Sequence, residues 1–127
     1  MDLQGVHRIL TKMARLTTRN NKSMQSYYMI TAQGFIDAQN GSDIRERIIS
    51  ILVEHPRDIL IDCKHVEFMD SSGFGCLVAA LKRVRQQGKE LCLCGINSQL
   101  RSILELTGLD QIIPIFPSME ACIAHVT

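Results

Sequence analysis

Two hydroxyls and a carboxylate stand together at Asp70-Ser71-Ser72-Gly73, directly ahead of an apolar stripe at helical spacing. Asp and Ser are capping residue types, so the segment predicts the start of a helix. The same position invites a second chemistry. A helix N-terminus presents unpaired amide N–H groups and the positive end of the helix dipole. A phosphate ester on the Ser72 hydroxyl would find donors beside it and would not have to unfold the segment. Such an ester adds about −1.5 to −2 charges. Facing a like charge across a docked surface, that is enough to release a partner. Gly73 and Gly75 fall in the first turn, where each costs about 1 kcal/mol relative to Ala. Their presence predicts a close approach to the backbone there. On residue type and spacing alone, simple capping accounts for the segment more economically than a switch does.

Other chemistries are poorly served. A serine nucleophile needs a base and an orienting group. Ser72 is not in a G-x-S-x-G context, and His7, His55, His65 and His125 are scattered, with His65 expected in a surface loop. A phospho-aspartate receiver needs clustered acids for Mg2+ and a Lys on a late strand. Asp62 and Asp70 lie on different segments, and 112–116 holds no Lys. Gly73-Phe74-Gly75 is too short for a dinucleotide fingerprint, and no P-loop occurs. No enzyme activity and no cofactor are expected.

The cysteines are odd in number: Cys63, Cys76, Cys92, Cys94 and Cys122, with no C-x-x-C pair. Most sit in apolar runs and predict buried small hydrophobes in a reducing compartment. Cys92 and Cys94 alternate along a strand and point to one face. A metal would need further ligands nearby, and the surrounding sequence offers none, so packing is expected and no metal site.

The elements that must position Ser72 read as alternating strands and helices. Residues 27–32 are a β-rich run closed by Gly34. After Gly34-Phe35-Ile36-Asp37, the Asn40-Gly41 pair predicts a turn, with Ser42 or Asp43 capping a helix over 43–54. Residues 59–63 predict a buried parallel strand, 64–69 a loop, and 70–87 a helix stopped by Gly88. Residues 91–94 predict a strand, and Asn97 or Ser98 caps a helix to 106. Residues 112–116 predict a last strand, placed at an edge by Pro114, and Ser118 caps a helix over 119–125. With a further strand near 13–18, the order is β-β-α-β-α-β-α-β-α. This is an α/β domain with a mixed, mostly parallel sheet of four to five strands and about four helices.

The chain's 127 residues suit one domain. Residues 1–12 are expected to be a basic N-terminal segment and 13–127 the domain. Val6, Ile9, Leu10 and Met13 fall at helical spacing among basic residues, but a solvated tail is favoured over a docking helix. The formal net charge is +1 and there is no Trp. Neither a strong field nor an aromatic platform for nucleic acid is present. No apolar run is long enough to span a membrane, and the N-terminus lacks a secretory signal, so a cytoplasmic location is expected.

The residues 59–62, followed by Val66-Glu67-Phe68-Met69-Asp70-Ser71-Ser72-Gly73-Phe74-Gly75, resemble the strand, loop and phosphoserine motif of the STAS domain family, and within it the single-domain anti-sigma factor antagonists. Gly34-Phe35-Ile36-Asp37, Gly88-Lys89-Glu90-Leu91 and Leu104-Glu105-Leu106-Thr107-Gly108-Leu109 extend the resemblance over about residues 13–125. It implies a kinase-type anti-sigma factor as partner, which phosphorylates Ser72 with ATP. The unphosphorylated form would bind that kinase and free a sigma factor, and a metal-dependent PP2C-type phosphatase would reset the switch. Asp70, Ser71, Ser72, Gly73 and Asp37 would form the partner-binding surface. Two readings stay open: a scaffold or signalling subunit controlling a phosphatase, a cyclase or a stress complex, and weak nucleotide binding. The sequence departs from the family after Asp37, where a Thr-Ala pair is usual and Ala38-Gln39-Asn40-Gly41-Ser42 stands. Position 74 carries Phe in place of a Leu-like residue, which is expected to alter packing only.

Overall fold

The computed structural model of the chain describes residues 27–127. Expectations for residues 1–26, including the basic segment and a strand near 13–18, lie outside them. Four strands, β1 (Tyr27–Ile36), β2 (Asp58–Met69), β3 (Leu91–Cys94) and β4 (Ile115–Phe116), form one sheet in the order β1-β2-β3-β4. All three pairings are parallel. Helices α1 (Ala38–Glu54), α2 (Ser71–Gln86), α3 (Ser98–Thr107) and α4 (Met119–Val126) alternate with them, and a short 3-10 turn spans Leu109–Gln111.

Each strand divides its residues between two apolar layers, because successive side chains point to opposite faces. Tyr28, Ile30, Ile59, Ile61, Leu91 and Leu93 enter the larger core under α1, α2 and α3. Tyr27, Met29, Leu60, Cys92 and Cys94 enter a smaller cluster under α4. Burial on both faces is why β2 and β3 read as continuous apolar runs. Cys92, Cys94 and Cys122 share the smaller cluster. Cys92 and Cys94 crowd the Cys122 thiol, and they and its burial push its pKa up. Hydrogen bonding from Cys122 pushes Cys94 down. Among the described residues, no helix is long and apolar enough to cross a membrane.

Every described α-helix begins at a side-chain cap: Asp37, Asp70, Asn97 and Ser118 accept from the N–H three residues on. Each satisfies one of the donors that a helix leaves orphaned at its start. Four boundaries differ from those expected. β1 does not close at Gly34 but runs through it to Ile36. The first helix starts at Ala38, not beyond Asn40-Gly41, because Asp37 caps it and Gly41 is needed inside it. Residues 64–69 are not a loop; β2 continues to Met69, with Lys64, His65 and Glu67 exposed and Val66 and Met69 buried. His65 therefore sits on a strand. The last strand is only Ile115–Phe116, although the Pro114 carbonyl still accepts from Leu93 N–H at 3.0 Å.

Candidate functional site

The site is assembled where β1 and β2 end side by side. Ile36 pairs with Met69 in the parallel register. The next residue on each strand, Asp37 and Asp70, caps the helix that follows. Two helix N-termini therefore emerge together at one end of the sheet. Asp70 Oδ1 accepts from Gly73 N–H at 2.9 Å, and the Asp70 carbonyl accepts from Phe74 N–H at 2.9 Å. Asp37 Oδ1 accepts from Asn40 N–H at 3.0 Å, and its carbonyl accepts from Gly41 N–H at 2.8 Å. Asn40 Nδ2 donates back to the Phe35 carbonyl, which fixes the exit of β1.

With Asp70 occupied by Gly73 and Phe74, the amides of Ser71 and Ser72 are the first-turn donors left without an intrahelical acceptor. Both side chains are exposed, and among the described residues neither hydroxyl makes a hydrogen bond. Of the three capping-type residues in a row, only Asp70 caps. Ser71 and Ser72 are not engaged in holding the helix start, so their hydroxyls are chemically available.

The two glycines of this turn have different causes. Gly73 is buried. A Cβ there would run into the carbonyl oxygen of Ile36 and lie 2.8 Å from Met69 Cγ. What approaches its backbone is therefore the protein's own β1. Gly73, expected on the partner-facing surface, is buried against the end of β1. Gly41 plays the matching part on α1, where a Cβ would lie 2.9 Å from Cys76 Cβ and 3.3 Å from Gly73 Cα. Gly75 is exposed and would give a Cβ open space. The internal structure does not require a glycine there.

Beside the paired helix starts runs an open, shallow surface lined by Phe35, Asn40, Lys64, His65, Glu67 and Asn97 among others. Phe35 is half exposed and stacks on Phe68 with ring centroids 5.3 Å apart. Its part in this surface went unread in the sequence, although a large aromatic one residue before the buried Ile36 falls on the opposite side of the strand. Asn97 closes the surface: it caps α3 through Leu100 N–H at 2.8 Å while its Nδ2 donates to the Val66 and Glu67 carbonyls. Asp37 and Asp70 cap helices that leave adjacent strand ends, and Ser71 and Ser72 follow Asp70 in the first turn of α2. No histidine among the described residues hydrogen-bonds either serine.

The STAS domain model matches residues 15–122, and the chain belongs to that family. It is 37% identical over 86 residues to the anti-sigma-B factor antagonist of Listeria monocytogenes, covering 68% of this chain and 75% of that protein. It is 27% identical over 98 residues to the protein of the same name in Staphylococcus aureus, covering 77% of this chain and 91% of that one. Among solved structures, the anti-sigma factor antagonist SpoIIAA in its unphosphorylated form shares the fold with a TM-score of 0.63, at 20% identity over 80% of this chain and 89% of that one. The Bacillus cell fate determinant SpoIIAA in its phosphorylated form gives a TM-score of 0.66, at 20% identity over 80% of this chain and 92% of that one.

Proposed function

We propose that this protein is an anti-sigma factor antagonist controlled by phosphorylation of Ser72. The observation that carries the reading is an exposed hydroxyl in the first turn of α2 that makes no hydrogen bond among the described residues, beside two amides without intrahelical acceptors and a neighbouring helix start. The names of its relatives and the existence of SpoIIAA in both phosphorylation states support it. The protein is not itself an enzyme; it binds a kinase-type anti-sigma factor in the cytoplasm and is that kinase's substrate.

In the unphosphorylated form, the helix starts at Asp37 and Asp70, with Phe35 beside them, dock against the kinase, and a sigma factor is released. The kinase then transfers the γ-phosphoryl group of ATP to Ser72 Oγ. The O–H bond breaks, a proton leaves, and ADP departs. The Ser71 and Ser72 amides and the dipole of α2 accommodate the new charge, so the fold tolerates it. Across the interface the same charge meets a surface shaped for a neutral hydroxyl, and the complex separates. A metal-dependent PP2C-type phosphatase hydrolyses the ester and restores the hydroxyl.

The test is affinity capture from cells with wild-type, Ser72→Ala and Ser72→Asp baits, with fragmentation mass spectrometry of the phosphopeptide. Wild type and Ser72→Ala should retain a sigma-regulating kinase, and Ser72→Asp should lose it. Recovery of the same partners by all three baits, or stoichiometric phosphate on Ser71, overturns the reading.

A further inference from the structure

A second group of reactive side chains lies on the sheet face under α4, apart from Ser72. Strand β3 sets Cys92 and Cys94 on that face, both buried. Helix α4 crosses them, and its buried residue, Cys122, packs in the same apolar cluster. His125 follows Cys122 by one helical turn, on the same side of the helix. Glu90 precedes Cys92 by two residues at the entry of β3. Glu90 Oε1 lies 2.8 Å from His125 Nε2 and 3.7 Å from Cys92 Sγ. One donor atom each from Glu90, Cys92 and His125 lies within 4.8 Å of the others.

Sulfur, imidazole nitrogen and carboxylate oxygen are the three ligand types of zinc. An all-sulfur set would favour Cu(I), and an all-oxygen set Mg2+ or Ca2+; the mixture suits a borderline cation. Zinc bonds of about 2.0–2.3 Å in tetrahedral geometry hold ligand atoms roughly 3.3–3.8 Å apart. The observed triangle needs only side-chain rotation to close. The Glu90 and His125 side chains are 48% and 38% exposed, while the Cys92 thiol is buried. The cluster therefore has a polar mouth open to solvent and a thiol floor, which supplies the entry path a metal site needs.

We propose that Cys92, His125 and Glu90 form a Zn2+ site, with solvent as the fourth ligand, that fastens α4 to β3. On binding, the Cys92 thiol releases a proton to solvent, and the ion replaces the direct contact between His125 and Glu90. The C-terminal helix becomes cross-linked to the sheet face covered by neither α1 nor α2, leaving the Ser72 surface untouched.

The test uses the full chain, reduced, stripped with chelator under anaerobic conditions, and titrated with Co2+ and then Zn2+. One equivalent of Co2+ should give thiolate-to-metal absorption with tetrahedral ligand-field bands, and Zn2+ should displace it. Cys92→Ser and His125→Gln should each weaken binding at least about tenfold. His125 is exposed, so His125→Gln retains the fold, as circular dichroism checks. Cys76→Ala, which removes the half-buried thiol on the other side of the sheet, should change nothing. Absence of the thiolate band at one equivalent overturns the site. So does a band that survives His125→Gln at full affinity, or one that disappears with Cys76→Ala.

Discussion

The Asp70 amide donates to the Ile36 carbonyl at 3.1 Å, which ties the entry of α2 to the end of β1. Because Asp37 follows Ile36 directly, that one bond sets the two capping carboxylates at adjacent strand ends. The paired helix starts depend on it, and so does the close seating of Gly73 against Ile36.

That seating separates the two glycines of the α2 first turn. Gly73→Ala should destabilise the fold by about 1–3 kcal/mol, because a methyl group has no room between Ile36 and Met69. Gly75→Ala should stabilise it by roughly 0.5–1 kcal/mol, since the added methyl meets open space and Ala is the better helix former. Denaturant midpoints of the two variants should move in opposite directions. If a partner approaches the α2 backbone at Gly75, the same Ala will weaken binding despite the added stability.

The caps predict a second pair of outcomes. Asp70→Ala should cost about 1 kcal/mol, and Asp70→Asn much less, because the amide oxygen still accepts from Gly73 N–H. Asn97→Ala should cost more than an ordinary cap, about 2 kcal/mol, since it also leaves the Val66 and Glu67 carbonyls without their side-chain donor. Urea unfolding followed by circular dichroism measures all three.

Phosphorylation of Ser72 should change binding without changing the fold. The phosphoprotein should unfold within about 1 kcal/mol of the unmodified protein, because the added charge sits at the favourable end of α2. The small difference should shrink in high salt. Loss of cooperative unfolding on phosphorylation would show that the Ser72 hydroxyl has a structural duty.

Cys63 predicts a loss of stability in alkali. Burial, with lesser contributions from Cys94 and Asp62, pushes its pKa up to about 12 from an ordinary value of 9.0. A group whose pKa is raised on folding binds its proton more tightly in the native state. The stabilisation is complete below pH 9 and declines as pH rises through 12, reaching on the order of 4 kcal/mol at the upper limit. Cys63→Ala should flatten this alkaline decline while lowering stability at neutral pH through the lost sulfur contacts. Melting temperatures across pH 8–11 for the two proteins give the comparison.

Much of the fold was legible in the amino-acid order. The parallel sheet follows from short apolar runs separated by helical stripes, and the α2 start follows from Asp70-Ser71-Ser72. Gly88 and Gly108 stop helices with positive φ, as their positions suggested. The misplaced boundaries have separate causes. Lys64, His65 and Glu67 made the end of β2 look like a loop because that stretch exposes one face. Asn40-Gly41 resembled a turn because nothing nearby in the sequence reveals Cys76, the residue that requires Gly41 to be small.

Local pattern by itself determined which segments become strands and helices and which hydroxyls stand at a helix start, since periodicity and capping act within a few residues. Tertiary structure alone decided that Asp70 and not the serines forms the cap, that Gly73 faces inward and Gly75 outward, and that Cys92 meets Cys122, His125 and Glu90. Those outcomes depend on packing between segments distant along the chain, where steric fit and donor geometry act across the sheet and leave no periodic trace in any one stretch.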